Sequence, residues 1–171
     1  MKLIMSDRPI RLNIRDHSEI KYVDLSSLKI ANCTGCFGCW TRTPGKCVMR
    51  DDATRVYPYI AASDRVLYVS RVVYGGYDTV MKRMLERAIP VQQAFIRIFK
   101  GETHHVQRAV VPKRATIVAY GDIDAEEQAL FRRLVARNAS NMSFESHEVI
   151  FTSEAELENC VKKIVEQWDE Y

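Results

Sequence analysis

Several common signals are missing from this 171-residue sequence. No uninterrupted apolar run approaches the ~18 residues expected of a transmembrane helix, and the apolar part of the amino-terminal stretch is too short for a signal peptide. The 25 basic and 22 acidic residues are interleaved rather than gathered into tracts, so a nucleic-acid partner is not indicated. These absences predict a soluble, cytoplasmic protein that binds neither a membrane nor nucleic acid.

The short motifs of several enzyme classes are missing as well. The sequence has no Gly-x-Gly-x-x-Gly fingerprint, no Walker loop, no Gly-x-Ser-x-Gly elbow and no His-Glu-x-x-His. Hydrolase and kinase activities therefore have no residue support, and nothing distinguishes NADH from NADPH as a donor. No stretch resembles a linker, and 47% of the residues are hydrophobic. We therefore expect one domain over residues 1–171.

Cysteine is present but unevenly distributed. Four of the five cysteines, Cys33, Cys36, Cys39 and Cys47, lie close together in the sequence. Four neighbouring thiolates are what a [4Fe-4S] cluster or a tetrahedral zinc ion requires. The tight spacing of the first three, with Cys47 apart, favours iron-sulfur over the paired knuckles typical of zinc. A structural zinc site and reduced thiols, for instance those of a redox sensor, stay open as alternatives.

Strand and helix patterns alternate along the chain. Short runs rich in Val, Ile, Leu and Tyr predict five strands, of which the third and fourth are nearly all apolar, as central parallel strands are. The predicted strands are residues 2–5, 20–24, 65–70, 115–120 and 148–151. This alternation predicts an α/β fold with a doubly wound parallel sheet and helices on both faces. The cysteine-rich loop, residues 33–47, is inserted after the second strand.

Apolar residues at i, i+3 and i+4 spacing predict the helices. Helices are expected at residues 52–62 (disturbed by Pro58), at 78–89, from Asp124 onward and after Ser153. Asp124 is expected to cap its helix, with Glu127 completing a capping box. The same helix is expected to bury Leu130, Leu134 and Phe131.

The loop after the third strand is the first place to look for a ligand, because doubly wound sheets bind ligands at the carboxyl ends of their strands. It combines a polar start, an aromatic residue and two glycines in the order Ser70, Arg71, Val72, Val73, Tyr74, Gly75, Gly76. Glycines allow backbone amides to approach a flat ligand, and Tyr74 can pack on a ring. The alternative is an ordinary strand-to-helix turn, since Gly-Gly is common in loops.

Residues 33–90 resemble the flavodoxin-like NADPH-dependent FMN reductases and their iron-sulfur flavoprotein relatives. The resembling parts are CTGCFGCWTRTPGKCVMRDD, ASDRVLYVSRVVYGGY and MKRMLERAIP, in that order, and GETHH at residues 101–105 resembles one branch of the group. The resemblance implies a flavodoxin-like five-stranded sheet of order 2-1-3-4-5. It also implies an FMN-dependent oxidoreductase that receives electrons from NAD(P)H and passes them to a small-molecule or protein acceptor. Such a protein is expected to assemble as a homodimer or homotetramer.

The resemblance also implies which residues bind the cofactors. The cluster ligands would be Cys33, Cys36, Cys39 and Cys47. The flavin contacts would be Ser70, Arg71, Val72, Val73, Tyr74, Gly75 and Gly76, with Gly121 after the fourth strand. The flavin carries the chemistry in such proteins, so no side chain is nominated as a general acid or base.

The amino-terminal part departs from the family pattern. Family members follow the first strand with a Gly-Ser-Pro-Arg type loop that cradles the FMN phosphate at a helix start, whereas this chain continues as SDRP. Asp7 would repel a phosphate. The candidate partners for the phosphate are Ser6, Arg8 or Arg11, and Arg71, because a guanidinium group grips phosphate through two parallel hydrogen bonds. The rival hypothesis is a non-enzymatic flavodoxin-fold protein that has lost its flavin.

Overall fold

The computed structural model describes residues 1–14 and 19–169. The elements in chain order are β1 (Lys2–Ser6), β2 (Ile20–Asp24), α1 (Gly38–Thr41), α2 (Ala53–Ala62), β3 (Arg65–Val73), β4 (Gly76–Tyr77), α3 (Thr79–Glu86), β5 (Gln92–Phe99), β6 (Glu102–Gln107), β7 (Lys113–Tyr120), α4 (Ala125–Asn141), β8 (Phe144–Thr152) and α5 (Leu157–Asp169). None of these helices, within the described residues, is long and apolar enough to cross a membrane.

The central sheet has the strand order β2-β1-β3-β7-β8, and each neighbouring pair is parallel. This is the predicted flavodoxin-like order, with β7 and β8 as the fourth and fifth strands. Leu67 and Val69 of β3 and Ile117 and Val118 of β7 are fully buried. Their continuous apolar sequence reflects a central position, because a central strand is covered on both faces.

Two hydrophobic clusters cover the two faces of the sheet. One contains the inward residues of α2, α3 and α4, and the other contains those of α5 together with Ile10. Residues 7–14 form no helix; the buried side chain of Ile10 instead packs on the α5 face, and its amide donates to the Tyr22 hydroxyl at 2.8 Å. The described part of the first crossover, residues 7–14, is therefore irregular chain.

The predicted cap of α4 is confirmed, but its predicted capping box and one burial prediction are wrong. The Asp124 carboxylate accepts from the amide of Glu127 at 2.8 Å, which confirms the cap of α4. The Glu127 carboxylate does not close a capping box, since it accepts from the Gly75 amide at 3.2 Å. Leu130 was expected in the core but is 42% exposed. The buried stripe of α4 runs through Phe131, Val135 and Ala139, and Leu130 lies beside that stripe.

An antiparallel hairpin of β5 and β6 lies between α3 and β7, where no strands were predicted. Its turn consists of Lys100 and Gly101, both with positive φ, the geometry that tight two-residue hairpins favour. Three apolar side chains of β5, Phe95, Ile96 and Ile98, are largely exposed. The hairpin thus projects an apolar strand away from the core.

Candidate functional site

The carboxyl ends of β1, β3 and β7 meet at one edge of the sheet. Ser6 pairs with Val69 and Arg71 pairs with Tyr120, so the loops after all three strands are neighbours. β1 and β3 flank the point where the strand order reverses, and ligands of doubly wound sheets bind at such a point. We call this region the carboxyl edge, defined by Ser6, Asp7, Arg71 and Tyr120.

Asp7 lies at the centre of the carboxyl edge. Its carboxylate accepts hydrogen bonds from the Arg71 amide at 2.6 Å and from the Tyr120 hydroxyl at 2.9 Å. Burial raises the pKa of Asp7, although both hydrogen bonds favour the charged form. Burial and the neighbouring Asp7 also raise the pKa of Tyr120 to about 12, so its hydroxyl remains a donor. The carboxylate therefore uses an amide that a bound anion could otherwise have used.

Two arginines flank this carboxylate on the solvent side. Arg8 and Arg71 each donate to Glu154, in the loop after β8, at 2.5 Å. Their guanidinium carbons lie 5.8 and 5.5 Å from the centre of the Tyr120 ring. All three charged side chains are more than two-fifths exposed, and exposed ion pairs contribute little to stability because water screens them. Another anion can therefore replace Glu154 at low cost.

The two predicted serines organise the backbone of the carboxyl edge. Ser70 is fully buried; its hydroxyl donates to the Arg71 carbonyl at 2.9 Å and accepts from the Asp78 amide at 3.2 Å. The Ser6 hydroxyl, also buried, accepts from the Arg8 amide at 3.4 Å. These hydroxyls hold the turns that present Arg8 and Arg71.

Gly121 lies directly against the predicted loop. Its φ is +134°, and an added Cβ would lie 3.9 Å from the Arg71 Cγ and from the Val72 carbonyl oxygen. The structure thus brings together Ser6, Ser70, Arg71, Val72 and Gly121, as the sequence suggested. Whether they contact a cofactor remains a prediction.

The other predicted flavin contacts form a tight turn that leans on α4. Tyr74 and Gly75 both have positive φ and connect β3 to β4. The added Cβ of Gly75 would lie 2.4 Å from the Leu130 Cδ2, and φ at this position is +68°. Any other residue would therefore require Leu130 to shift and would be strained in this conformation. Tyr74 is almost fully exposed. Val73 and Gly76 pair with each other at the two ends of this turn. Together with Tyr74 they line a cavity of about 660 Å³, which residues of α3 and α4 and Tyr68 of β3 also line.

The four clustered cysteines lie near one another. Burial raises the pKa of the Cys39 thiol, and the neighbouring Cys47, Cys33 and Cys36 raise it further. The pKa of the exposed Cys36 thiol is lowered, chiefly by a hydrogen bond from the Gly38 amide. Across residues 1–14 and 19–169, no three Cys, His, Asp or Glu side chains are close enough to form a preassembled metal site.

Arg87, which sequence reasoning missed, fastens the cysteine loop to the end of α3. Its guanidinium donates to both Asp51 carboxylate oxygens at 2.6 and 2.9 Å, to the Ala31 carbonyl at 2.8 Å and to the Cys47 Sγ at 3.3 Å. Burial of the Asp51 carboxylate tends to raise its pKa, but the Arg87 guanidinium holds the pKa of Asp51 below its usual value. No local signal identifies this role, because its partners lie 36 to 56 residues away in sequence.

Comparison with solved structures identifies the fold of this protein. The structure is similar to an FMN-dependent NADH-azoreductase from Bacillus anthracis in complex with FMN, with a TM-score of 0.58, 9% identity and coverage of 97% of this chain and 95% of that one. An NADPH-quinone reductase from P. pentosaceus gives a TM-score of 0.54, 12% identity and coverage of 98% and 96%. The protein is thus a flavodoxin-like α/β protein.

The sequence matches define its relationship more narrowly. A 72-residue segment is 38% identical to an iron-sulfur flavoprotein of Archaeoglobus fulgidus, covering 42% of this chain and 32% of the relative. A 77-residue segment is 26% identical to an iron-sulfur flavoprotein of Methanocaldococcus jannaschii, covering 45% and 39%. No protein-family model matches the chain. These segments are similar to the iron-sulfur flavoproteins, in line with the resemblance in the sequence, and they span 32% and 39% of the length of the two relatives.

Proposed function

We propose that the protein is an FMN-dependent oxidoreductase that transfers electrons from NAD(P)H or another reduced donor to an acceptor. The main observation that supports this proposal is that Arg71, Val72 and Gly121 lie next to one another at the carboxyl edge. Doubly wound sheets bind their ligands at this edge. The relatives named as flavoproteins and the fold shared with an FMN-bound reductase support the same conclusion. A cytoplasmic location is part of the proposal, because a reducing compartment suits five free thiols.

Residues at and next to the carboxyl edge suit both parts of FMN, one group for the flat ring and another for the phosphate. The backbone around Val72, the exposed Tyr74 ring and Gly121 offer a surface for a flat ring. A phosphate would be held by Arg8 and Arg71, which release Glu154 to bind it. When bound, FMN supplies the hydride and electron chemistry. The protein orients the ring and, through Asp7, holds the Arg71 backbone in place.

We also propose that Cys33, Cys36, Cys39 and Cys47 hold a [4Fe-4S] cluster. Four thiols with this spacing form the donor set that such a cluster requires. The buried Arg87 guanidinium next to Cys47 places a positive charge beside a thiolate, which suits a cluster with net negative charge. The names of the two relatives, whose matches make up less than half of this chain, support the same assignment.

The second candidate is a flavin-free protein that keeps the cysteines as a zinc site or thiol sensor. The observation that favours it is Asp7, whose buried carboxylate lies where the family phosphate loop would be. Purification without oxygen, followed by iron, zinc and FMN quantitation, distinguishes the candidates. We expect about one FMN per chain after reconstitution and iron in excess of zinc. A colourless protein that takes up no added FMN would establish the second candidate.

Comparing FMN with riboflavin tests the proposed phosphate contacts, because riboflavin lacks only the phosphate. Two charge-assisted hydrogen-bonding groups should make FMN bind at least tenfold more tightly. Arg71→Gln should remove most of this preference and leave riboflavin affinity unchanged. Arg133→Gln is the matched control, since Arg133 is exposed on α4. Equal binding of FMN and riboflavin by the unchanged protein would contradict the proposed phosphate contacts.

We further propose that the protein forms a homodimer through the β5–β6 hairpin. In the described part of the chain, these strands pair only with each other. Phe95, Ile96 and Ile98 are each about two-thirds exposed or more. An exposed apolar edge strand is a site for pairing with another chain, and a second copy offers the same edge.

A further inference from the structure

Glu154 bridges Arg8 and Arg71, the two arginines beside the carboxyl edge. It lies in the loop between β8 and α5, and its two carboxylate oxygens accept from different side chains, Oε1 from Arg8 and Oε2 from Arg71, each at 2.5 Å. Hydrogen bonding from Arg8 and the charge of Arg71 hold the pKa of Glu154 below its usual value, so the carboxylate is an anion at neutral pH. The groups proposed to hold the FMN phosphate are therefore already paired with an anion of this chain.

The loop that carries Glu154 is fixed at both of its ends. The Thr152 carbonyl, at the end of β8, accepts from the Gly121 amide at 3.4 Å. The Ser153 hydroxyl accepts from the Glu156 amide at 3.3 Å, just before α5. A group tethered in this way acts at a high effective concentration, which reaches the millimolar range for short linkers. Glu154 is therefore an effective local competitor of a dissolved anion.

A free phosphate ion and FMN differ in what they gain on displacing Glu154. Exposed ion pairs contribute little to stability, so a free phosphate gains little more from the two arginines than Glu154 already provides. In the proposed complex, FMN also packs its ring against the backbone around Val72 and the exposed Tyr74. Glu154 weakens both ligands by the same factor, which leaves FMN bound and takes free phosphate out of the site at millimolar concentrations.

We propose that Glu154 is a specificity-determining residue, an internal competitor that keeps inorganic phosphate and simple phosphate esters out of the site and yields to FMN. This inference rests on the proposed function, because it takes Arg8 and Arg71 as the phosphate contacts. Removing the charge of Glu154 should therefore open the site to phosphates in general.

Titration of the whole chain without flavin, with inorganic phosphate as the probe, tests the competitor directly. The Arg71 and Gly121 amides report binding in protein NMR spectra, and potassium chloride at the same ionic strength controls for screening. Glu154→Gln removes the charge and keeps the shape, so it should bind phosphate about three- to tenfold more tightly than the unchanged protein. Glu166→Gln, an equal change of charge on the exposed side of α5, should behave as the unchanged protein does.

Fluorescence titrations with FMN and riboflavin test the consequence for specificity. Potassium phosphate at ~10 mM should leave the FMN affinity of the unchanged protein at its value in potassium chloride. Glu154→Gln should bind FMN about three- to tenfold more tightly in chloride, lose most of this gain in phosphate and bind riboflavin as before. The inference is overturned if Glu154→Gln gains no affinity for phosphate, or if its affinities for FMN and riboflavin change equally. A protein that binds no FMN would contradict the proposed function instead, and the phosphate titration still decides the role of Glu154.

Discussion

Lys113 at the start of β7 provides a quantitative test of the physical reasoning. Its side chain is fully buried, and its ammonium donates to the Val111 carbonyl. Burial lowers the pKa of Lys113 from 10.5 to about 8, against a weaker opposing effect of Asp64. A fall of about 2.5 in the pKa corresponds to ~3 kcal/mol of unfavourable free energy for the charged form. The native protein bears this cost at neutral pH.

The sign of the pH dependence follows from the two pKa values. Because the folded pKa, about 8, lies below the unfolded value of 10.5, the unfolded chain binds more protons between them. The contribution of Lys113 to the free energy of unfolding therefore rises as pH increases through this window and is lowest below pH ~8. Lys113→Met removes the charge but also a hydrogen bond worth ~1 kcal/mol. We expect a net gain of ~2 kcal/mol at pH 7.

Urea denaturation of the unchanged protein and of Lys113→Met at pH 7 and pH 9.5 measures this effect. The gain should be ~2 kcal/mol at pH 7, or about 4–8 °C in the unfolding temperature for a chain of this size, and should shrink at pH 9.5. Lys163→Met on the exposed side of α5 is the control, with little change at either pH. The reasoning is refuted if Lys113→Met is less stable than the unchanged protein at pH 7, or if its gain does not depend on pH.

Four further predictions concern the candidate sites. Asp7→Asn should tighten FMN binding several-fold without changing riboflavin binding, because it removes a like charge worth ~1 kcal/mol at short range; equal effects on both ligands in a fluorescence titration would argue against it. Arg87→Met should lower the free energy of unfolding by ~3 kcal/mol in urea, because it breaks a buried ion pair; a loss below ~1 kcal/mol would show that the clamp is dispensable. Cys36→Ser should abolish iron incorporation while costing less than ~1 kcal/mol of stability, since the residue is exposed; undiminished iron content would remove Cys36 from the ligand set. In sedimentation velocity the unchanged protein should sediment as a dimer and Ile98→Lys as a monomer, and a variant of the same size as the unchanged protein would exclude the hairpin as the interface.

The carboxyl edge shows how one departure from the sequence pattern of the FMN reductases that this chain resembles changes a site. A phosphate loop binds its anion through backbone amides at a helix start. Here Asp7 binds the Arg71 amide instead, and residues 7–14 do not form a helix. In the proposed FMN complex, the positive charge for the phosphate would come from Arg8 and Arg71, which pair with Glu154 in the structure. Binding through exposed guanidinium groups is more sensitive to salt than binding to backbone amides.

The sequence alone determined the parts of the protein that depend on local patterns. The near-continuous apolar runs of β3 and β7 predicted central parallel strands, and Asp124 predicted the start of α4. The strand signal arises from burial on both faces of a sheet, and the helix-start signal arises from a single side-chain hydrogen bond. Each can therefore be found in a short window of sequence. The spacing of the cysteines likewise identified a candidate metal site without any structure.

Only the tertiary structure decided the contacts between residues distant in sequence. Asp7 meets Arg71 and Tyr120 across 64 and 113 residues, and Arg87 meets Asp51 across 36. A hydrogen bond between remote groups leaves no periodic pattern, because each partner is a single polar residue in its own segment. The cavity over Tyr68 likewise exists only once α3, α4 and the β5–β6 hairpin have packed together. The sequence therefore identified the sheet and the loops, and packing determined which side chains meet there.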